Sequence, residues 1–193
     1  SFPPFVSART TFTLLAADPA VNGVASGVAV TRYSIDGGDF ASAPLSFGLA
    51  GPDGTHTVRF HSQDRVENLE ALQERTFLLD TAAPVLVFTF SREPVVRPPA
   101  FEPWFPEDFR IVWSATDTAS GVAFVEPQTL VTQEGRALRF AGRAVDRVDN
   151  STSSIATVNV DKTPPVVSAG PDFEVFEGGE ARFAASVADN LDP

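Results

Sequence analysis

The stretch AVDRVDNSTSSIATVNVDKTPPVV, residues 144–167, holds one strand-forming segment with acidic residues at both ends and two prolines after it. A related stretch, HSQDRVENLEALQERTFLLDTAAPVL, occurs at residues 61–86. Both read Asp-Arg-Val-acidic-Asn, then an apolar segment, then Asp followed within four residues by Pro. The two stretches therefore predict an internal repeat whose copies share one fold.

Further matches extend this repeat over most of the chain. SGVAV at 26–30 matches SGVAF at 120–124, and GTHTVRFHSQD at 54–64 matches GRALRFAGRAVD at 135–146. The distance between matching positions is constant to within one residue. We therefore expect one domain over residues 1–83, called the first copy, and another over residues 84–164, called the second copy. Residues 165–193 are expected to form the first strands of a third unit.

Alternation of apolar and polar residues predicts half-buried β-strands. It is clearest in TFTLLAAD at 11–18, FRIVWSATD at 109–117 and ARFAASVAD at 181–189, each of which ends in Asp. Residues 63–75 look helical, but the matching stretch of the second copy is poor in helix formers and favours a strand. YSIDGGDF at 33–40 predicts a hairpin, with Asp-Gly-Gly supplying the positive φ angles. The expected fold is all-β, built of antiparallel sandwiches.

Composition limits the classes of function. The chain has 193 residues, no Cys and a formal net charge of −11. The absence of Cys excludes disulfides and thiolate metal sites. The acidity disfavours nucleic acid and anionic membrane surfaces as partners. No apolar run approaches the roughly 20 residues that a membrane helix needs, so we expect no membrane insertion.

Taken together, these motifs resemble tandem bacterial immunoglobulin-like repeats of secreted and cell-surface proteins. The resemblance rests on SATDTASGV at 114–122, on the Asp-Arg-Val-acidic-Asn turn and on the closing Asp-x-x-Pro, and it covers nearly the whole chain. It implies immunoglobulin-like antiparallel β-sandwiches arranged in tandem as an elongated array. Residues 167–190 are similar to the opening of a PKD-type sandwich.

One position departs from the pattern of these repeats. The usual Gly before Asn is Glu67 in the first copy and Asp149 in the second. We therefore expect Asn68 and Asn150 to take the left-handed conformation in this turn.

The resemblance also places the acidic residues. In an immunoglobulin-type sandwich the loops after strands B and F lie at one end, and strand G ends at the opposite end. In a linear array Asp80 would then meet Asp117 and Asp146 at one inter-domain junction, and Asp161 would approach Asp189 at the next. Two interpretations stay open: these side chains bind calcium, or they cap turns by accepting nearby backbone N–H groups.

An aromatic pair offers a second candidate site. Trp104 and Phe105 lie between prolines in AFEPWFPEDF. Exposed, they would contact a glycan or a protein partner; alternatively, they seal the edge of the sandwich.

No catalytic constellation stands out, so we expect a non-catalytic protein. The leading hypothesis is a structural or adhesive segment, a stalk or spacer of a bacterial surface or secreted protein whose partners are neighbouring immunoglobulin-like domains. One alternative is an accessory glycan- or protein-binding module of a secreted hydrolase. Another is a filament subunit whose residues 166–193 add to the sheet edge of a neighbouring subunit.

Overall fold

A computed structural model of the chain describes residues 2–96, 102–168, 178 and 185–190. Within these residues the regular structure is entirely β, which confirms the expected fold class. The strands are β1 Phe5–Val6, β2 Val28–Ile35, β3 Ala41–Ser42, β4 Gly54–Asp64, β5 Gln73–Leu79, β6 Val85–Phe90, β7 Val95–Val96, β8 Pro103–Phe105, β9 Phe109–Thr116, β10 Val122–Val125, β11 Thr129–Val131, β12 Gly135–Asp146, β13 Ser151–Val160, β14 Val166–Ser168 and β15 Ser186–Ala188. No helix in the described part is long and apolar enough to cross a membrane.

The chain divides into two compact units. The first contains Ser1–Val85 together with Ala115–Phe124 and Ala144–Thr152. The second contains Leu86–Ser114, Val125–Arg143 and Ser153–Pro193. Two loop regions of the second copy thus belong to the first unit. The division of the chain at residues 83 and 164, and the tandem arrangement, stay predictions.

The first unit is built on a five-stranded sheet with the order β1-β5-β4-β2-β3. Strands β4 and β2 pair antiparallel with their neighbours, whereas β1 pairs parallel with the end of β5. Its core consists of Val6, Leu49, Val58 and Leu79. A ring cluster that includes Phe12 and several other aromatic residues packs against this core.

The hairpin expected at residues 33–40 is present. Strand β2 pairs with β3 through Tyr33 and Ala41, and the turn between them has positive φ at Asp36 (51°) and Gly37 (76°). Two successive positive φ angles match the right-handed twist of the flanking strands, which is why Asp-Gly is favoured here. Residues 63–75 contain no helix; the end of β4 and the beginning of β5 occupy this region, as the repeat predicted.

The strand expected at residues 11–18 is not formed as a regular element. Phe12 makes an isolated bridge to Phe47, with both backbone hydrogen bonds in place, and pairing stops there. The equivalent segment of the second copy is the regular strand β9. The difference has a physical cause: β9 is paired along its length by β11 and β6, whereas residues 11–18 have one bridge to hold them extended.

The second unit contains a β-sandwich of two sheets. One sheet has the order β10-β12-β13-β8-β7 and the other β11-β9-β6. In chain order these are strands C, F and G on one side and A, B and E on the other, which is the division of the immunoglobulin fold. The buried core residues come from both sheets: Phe105, Phe109, Ile111, Trp113, Val131, Ala156, Val158 and Val160.

The beginning of the expected third unit is described only in part. Strands β14 and β15 form an antiparallel pair in which Val166 lies opposite Ala188 and Val167 opposite Val187. Most of the expected strand at 181–189 lies outside the described residues. The PKD-like identity of this segment therefore stays a prediction.

The left-handed position of the repeated turn differs from expectation. Glu67 has a φ of 71° and Asp149 a φ of 67°, whereas Asn68 and Asn150 do not have positive φ. The prediction for the two Asn residues is wrong, because each Asn is held instead by hydrogen bonds to the Asp four residues before it. The residue that replaces Gly keeps the backbone conformation that Gly would take.

Candidate functional site

Three carboxylates come together in the first unit. Asp80 follows β5, Asp117 follows β9 and Asp146 is the last residue of β12. One oxygen from each lies within 4.8 Å of the others. Asp80 is 0% exposed and Asp146 1% exposed, and Asp117 is partly buried. The structure thus brings together the three residues that the sequence assigned to one site.

The turn after β12 fixes Asp146. Its Oδ1 accepts the backbone N–H groups of Val148 at 2.9 Å and Asn150 at 2.8 Å. Its Oδ2 accepts the side-chain amide of Asn150 at 2.7 Å, and the Asp146 N–H donates to the Asn150 carbonyl at 3.0 Å. This dense local bonding is the turn-capping role that Asp commonly plays.

Asp117 caps the neighbouring loop. Its Oδ1 accepts the N–H groups of Ala119 at 3.2 Å and Gly121 at 2.7 Å. Gly121 has a φ of 84°, and a Cβ there would lie 3.6 Å from the guanidinium carbon of Arg147. The backbone of Arg147 donates to the Gly121 carbonyl at 3.0 Å, so the loops after β9 and β12 are joined.

Asp80 is held by contacts with both loops. Its Oδ2 accepts the N–H of Ser120 at 3.0 Å, and its carbonyl accepts the side-chain amide of Asn150 at 3.0 Å. Its own N–H donates to the Val6 carbonyl at 2.9 Å, and its Oδ1 accepts the N–H of Ala82 at 3.1 Å. The carboxylate is therefore fixed in position and buried beside two other acids.

A buried hydroxyl accompanies the three carboxylates. Ser120 is 2% exposed, and its Oγ has no hydrogen-bond partner among the described residues. A buried hydroxyl without a partner is costly, because it has lost its hydrogen bonds to water. This residue is a candidate oxygen ligand that the sequence analysis missed, although the matching Ser-Gly-Val segments of the two copies contain it.

The first copy has the same pair of loops without the third acid. Asp18 Oδ2 accepts the N–H of Gly27 at 2.8 Å, and Asp64 accepts the N–H and the side-chain amide of Asn68, both at 2.8 Å. The backbone of Arg65 donates to the Gly27 carbonyl at 3.0 Å. Every contact has its counterpart around Asp117 and Asp146, so the loop pair is one structural device used twice.

The hydroxyl of the first copy, in contrast to Ser120, has a partner. Ser26 Oγ donates to Asp18 Oδ2 at 3.2 Å. Burial acts to raise the pKa of Asp64, but hydrogen bonds from Asn68, Val66 and Ser26 outweigh it and lower the pKa below its usual value. The first copy therefore satisfies its polar groups locally.

The second predicted group of acids is not assembled in the same way. Asp161 Oδ1 accepts the N–H of Thr163 at 3.1 Å, and Asp189 directly follows β15. Among the described residues, neither belongs to a group of three potential metal ligands. That Asp161 approaches Asp189 stays a prediction.

Glu134 is the acid that organises the chain after β13. It accepts the backbone N–H of Lys162 at 2.8 Å, the hydroxyl of Thr163 and the side-chain amide of Asn190. Burial acts to raise the pKa of Glu134, and the hydrogen bonds from these three residues outweigh it and lower the pKa. Asp53 does the same in the first copy, where it accepts the N–H and hydroxyl of Thr81.

The aromatic pair does not form an exposed platform. Phe105 is 2% exposed and stacks on Phe109 with a centroid distance of 3.7 Å, so it belongs to the core and offers no face to a ligand. Trp104 is half-buried, and the guanidinium of Arg136 lies over its ring at 5.8 Å. Phe105 thus seals the sandwich, which was the alternative interpretation, while a ligand contact through Trp104 stays a prediction.

Comparisons with known proteins give a distant structural likeness. No protein-family model matches the chain, and no curated protein sequence matches it. Among solved structures, the chain is similar to Clostridium thermocellum CbhA fibronectin(III)-like modules, with a TM-score of 0.43 and 12% sequence identity. The match covers 82% of this chain and 89% of that one. The likeness is too distant to assign a family, and the fold follows from the strand order described above.

Proposed function

We propose that the chain is a non-catalytic structural repeat segment of a secreted or cell-surface protein, stiffened by calcium at Asp80, Asp117 and Asp146. The observation that carries the proposal is the burial of the Asp80 carboxylate next to two other carboxylates. Turn capping accounts for Asp117 and Asp146, because Asp18 and Asp64 cap the same turns in the first copy without a third acid. It does not account for the presence of Asp80.

Electrostatics favours a cation at this position. Two like charges about 4 Å apart repel by about 4 kcal/mol at an effective dielectric constant of about 20. Backbone N–H groups offset part of this repulsion at each carboxylate. A divalent ion would neutralise the cluster and would offer a partner to the Ser120 hydroxyl.

The donor set fits calcium better than other common metals. Calcium takes 6–8 oxygen ligands at about 2.3–2.6 Å, so oxygens bound to one ion lie within about 5 Å of one another. The three carboxylate oxygens meet that condition. Zinc prefers His and Cys, and neither residue type belongs to the group. Water would supply the remaining ligands.

The proposal is tested by thermal unfolding in excess calcium and in chelator, first on the natural chain and then on Asp80→Asn. At a calcium concentration of about 100 times the Kd, binding stabilises the folded state by about 2.7 kcal/mol. For a chain of this size that corresponds to a rise in Tm of roughly 5–10 °C. Asp80→Asn should lose the rise, and in chelator it should be at least as stable as the natural chain, because one repelling charge is gone.

Asp64→Asn is the matched control, because it changes the same turn in the copy that lacks a third acid. It should unfold at a lower temperature in both solutions and keep the full response to calcium. Calorimetric titration should give one calcium ion per chain for the natural sequence and none for Asp80→Asn. Superimposable unfolding curves of the natural chain in calcium and in chelator would refute the calcium part and leave the aspartates as turn caps.

A further inference from the structure

The sheet edge formed by residues 11–18 of the first copy is incompletely paired. In the second copy β6 lies beside β9, and β9 lies beside β11. Among the described residues, the corresponding segment of the first copy is bridged only at Phe12. Leu15, in the middle of that segment, is 93% exposed. The first copy therefore offers a place where the second copy has a strand.

A cleft lies along the same segment. It has a volume of about 540 Å³ and is lined on one side by residues 14–19 and on the other by β4 and the turn that follows it, including Phe60 and Leu69. Both Asp18 and Asp64 border the cleft. Apolar walls with two carboxylates at one end are the features that Asp117, Asp146 and their neighbours present to Asp80 in the second copy.

The internal repeat indicates what fits this cleft. In the chain, the segment that runs from Asp80 into β6 joins the buried carboxylate to the strand beside β9. Its counterpart is the segment from Asp161 into β14, because FLLDTAAPV at 77–85 matches VNVDKTPPV at 158–166. Asp161 is only partly buried, and Val166 and Val167 are 69% and 65% exposed. These residues have the sequence of the first segment without its burial.

We propose that the segment from Asp161 to β14 of one chain docks on residues 11–18 of a second copy of this chain. Strand β14 adds to the sheet edge at residues 11–18, as strands do in β-augmentation. Asp161 enters between Asp18 and Asp64, as Asp80 enters between Asp117 and Asp146. The charge balance of this contact rests on the proposed calcium role, whereas the strand addition does not.

The contact is heterologous, because donor and acceptor are different surfaces of the same chain. Heterologous contacts that do not close into a ring produce open, head-to-tail assemblies. Each added chain buries apolar side chains of β14 and pairs backbone groups of an edge that is a liability when left uncovered. The proposed assembly is thus a linear filament whose repeat is one chain.

Sedimentation velocity over a concentration series, in calcium and in chelator, tests the proposal. The natural chain should show a weight-average mass that rises with concentration beyond that of a dimer. Leu15→Asp on the acceptor edge and Val166→Asp on the donor strand should each weaken association at least tenfold. Val85→Asp is the matched control, since Val85 is the equivalent of Val166 and is 64% exposed, but lies in the copy whose strand is already supplied.

Mixing the two defective variants distinguishes this contact from any other. Leu15→Asp retains an intact donor and Val166→Asp an intact acceptor, so an equimolar mixture should form a dimer and nothing longer. A natural chain that stays monomeric at all concentrations, or a mixture that stays monomeric, overturns the proposal. So does undiminished association of both single variants, which would place the contact elsewhere.

The two solutions separate this proposal from the calcium site. If association is equal in calcium and chelator while unfolding does not respond to calcium, the strand addition stands and the metal role fails. If unfolding responds to calcium through Asp80 while every sample is monomeric, the metal role stands and the docking fails.

Discussion

At the residue scale, His56 is a buried histidine with an oxygen acceptor at each ring nitrogen. Its Nδ1 lies 2.7 Å from Asp36 Oδ2, and its Nε2 lies 2.9 Å from the Pro52 carbonyl. An acceptor at each nitrogen requires a proton on each nitrogen, which is the charged imidazolium form. The Pro52 carbonyl and the Asp36 carboxylate accordingly raise the pKa of His56 above its usual value, against the opposing effect of burial.

This pair makes stability depend on pH above neutrality. Because the folded-state pKa of His56 is raised, its stabilising contribution is complete below the unfolded-state value of about 6.5 and is lost as pH rises through the folded-state pKa. We predict that the denaturant midpoint of the natural chain falls between pH 6 and pH 9. His56→Gln should have a lower midpoint at pH 6 and a smaller dependence on pH.

His61→Gln is the control for the histidine prediction, since His61 lies on the same strand. It should keep the slope of the natural chain between pH 6 and pH 9. Asp36 behaves in the opposite sense: the N–H of Thr57, the largest cause, and His56 lower its pKa, so its contribution is lost only as pH falls through its folded-state pKa in acid. An equal slope in the natural chain and in His56→Gln would contradict the assignment.

At the element scale, the approach of β12 to β9 depends on one glycine. A Cβ at Gly142 would lie 2.4 Å from two ring carbons of Trp113, closer than real Cβ contacts come. Trp113 is 5% exposed and packs edge-on against Phe88 at a centroid distance of 5.2 Å. The ring therefore has no room to withdraw, and the glycine sets the distance between the two sheets of the sandwich.

Gly142→Ala should consequently destabilise the second unit. Overpacking a well-filled core costs typically 1–3 kcal/mol, and here the obstacle is a rigid ring rather than a flexible side chain. Urea unfolding followed by tryptophan fluorescence measures the change. Gly48→Ala is the matched control, since its Cβ would meet only the Thr10 carbonyl at 3.5 Å, an ordinary contact. Equal midpoints for the two variants would show that the sheets can separate without cost.

Strand β9 shows why part of the fold could be predicted from the sequence. Phe109, Ile111 and Trp113 alternate with polar or exposed residues, and all three are buried. Residues 11–18 have the same alternation and yet are not a regular strand, because alternation records which face would be buried and not whether a neighbouring strand is present. Pairing partners far apart in the sequence decide that outcome.

The candidate site shows the same limit. The spacing of Asp80, Asp117 and Asp146 at strand ends was sufficient to predict that they meet. The roles of Ser120 and Asn150 could not be read from spacing, since they depend on the detailed path of two loops. Phe105 was ambiguous for a related reason: an aromatic residue between prolines has the same sequence signature whether it is exposed or sealed against a core.

At the scale of the whole molecule, the net charge of −11 provides a second route by which calcium could act. A chain far from neutrality is destabilised by its own repulsion, and any cation that collects around it relieves this repulsion. Monovalent salt does the same for exposed charges, with a screening length of about 10 Å at 0.1 M. A rise in Tm with calcium alone therefore does not separate a bound ion from a diffuse one.

Salt dependence separates them. In chelator, raising sodium chloride from about 0.02 to 0.3 M should increase the Tm, because screening weakens long-range repulsion more than the contacts of the buried carboxylates. At a calcium concentration near the Kd, the same salt should reduce the gain produced by calcium, because screening weakens the attraction between the ion and its site. Asp80→Asn changes the net charge by one unit in eleven, so a diffuse effect would survive it almost unchanged. We predict that the variant loses the calcium gain entirely and keeps the sodium chloride gain, and a variant that keeps both would mean that calcium acts on the net charge of the molecule and not at the three aspartates.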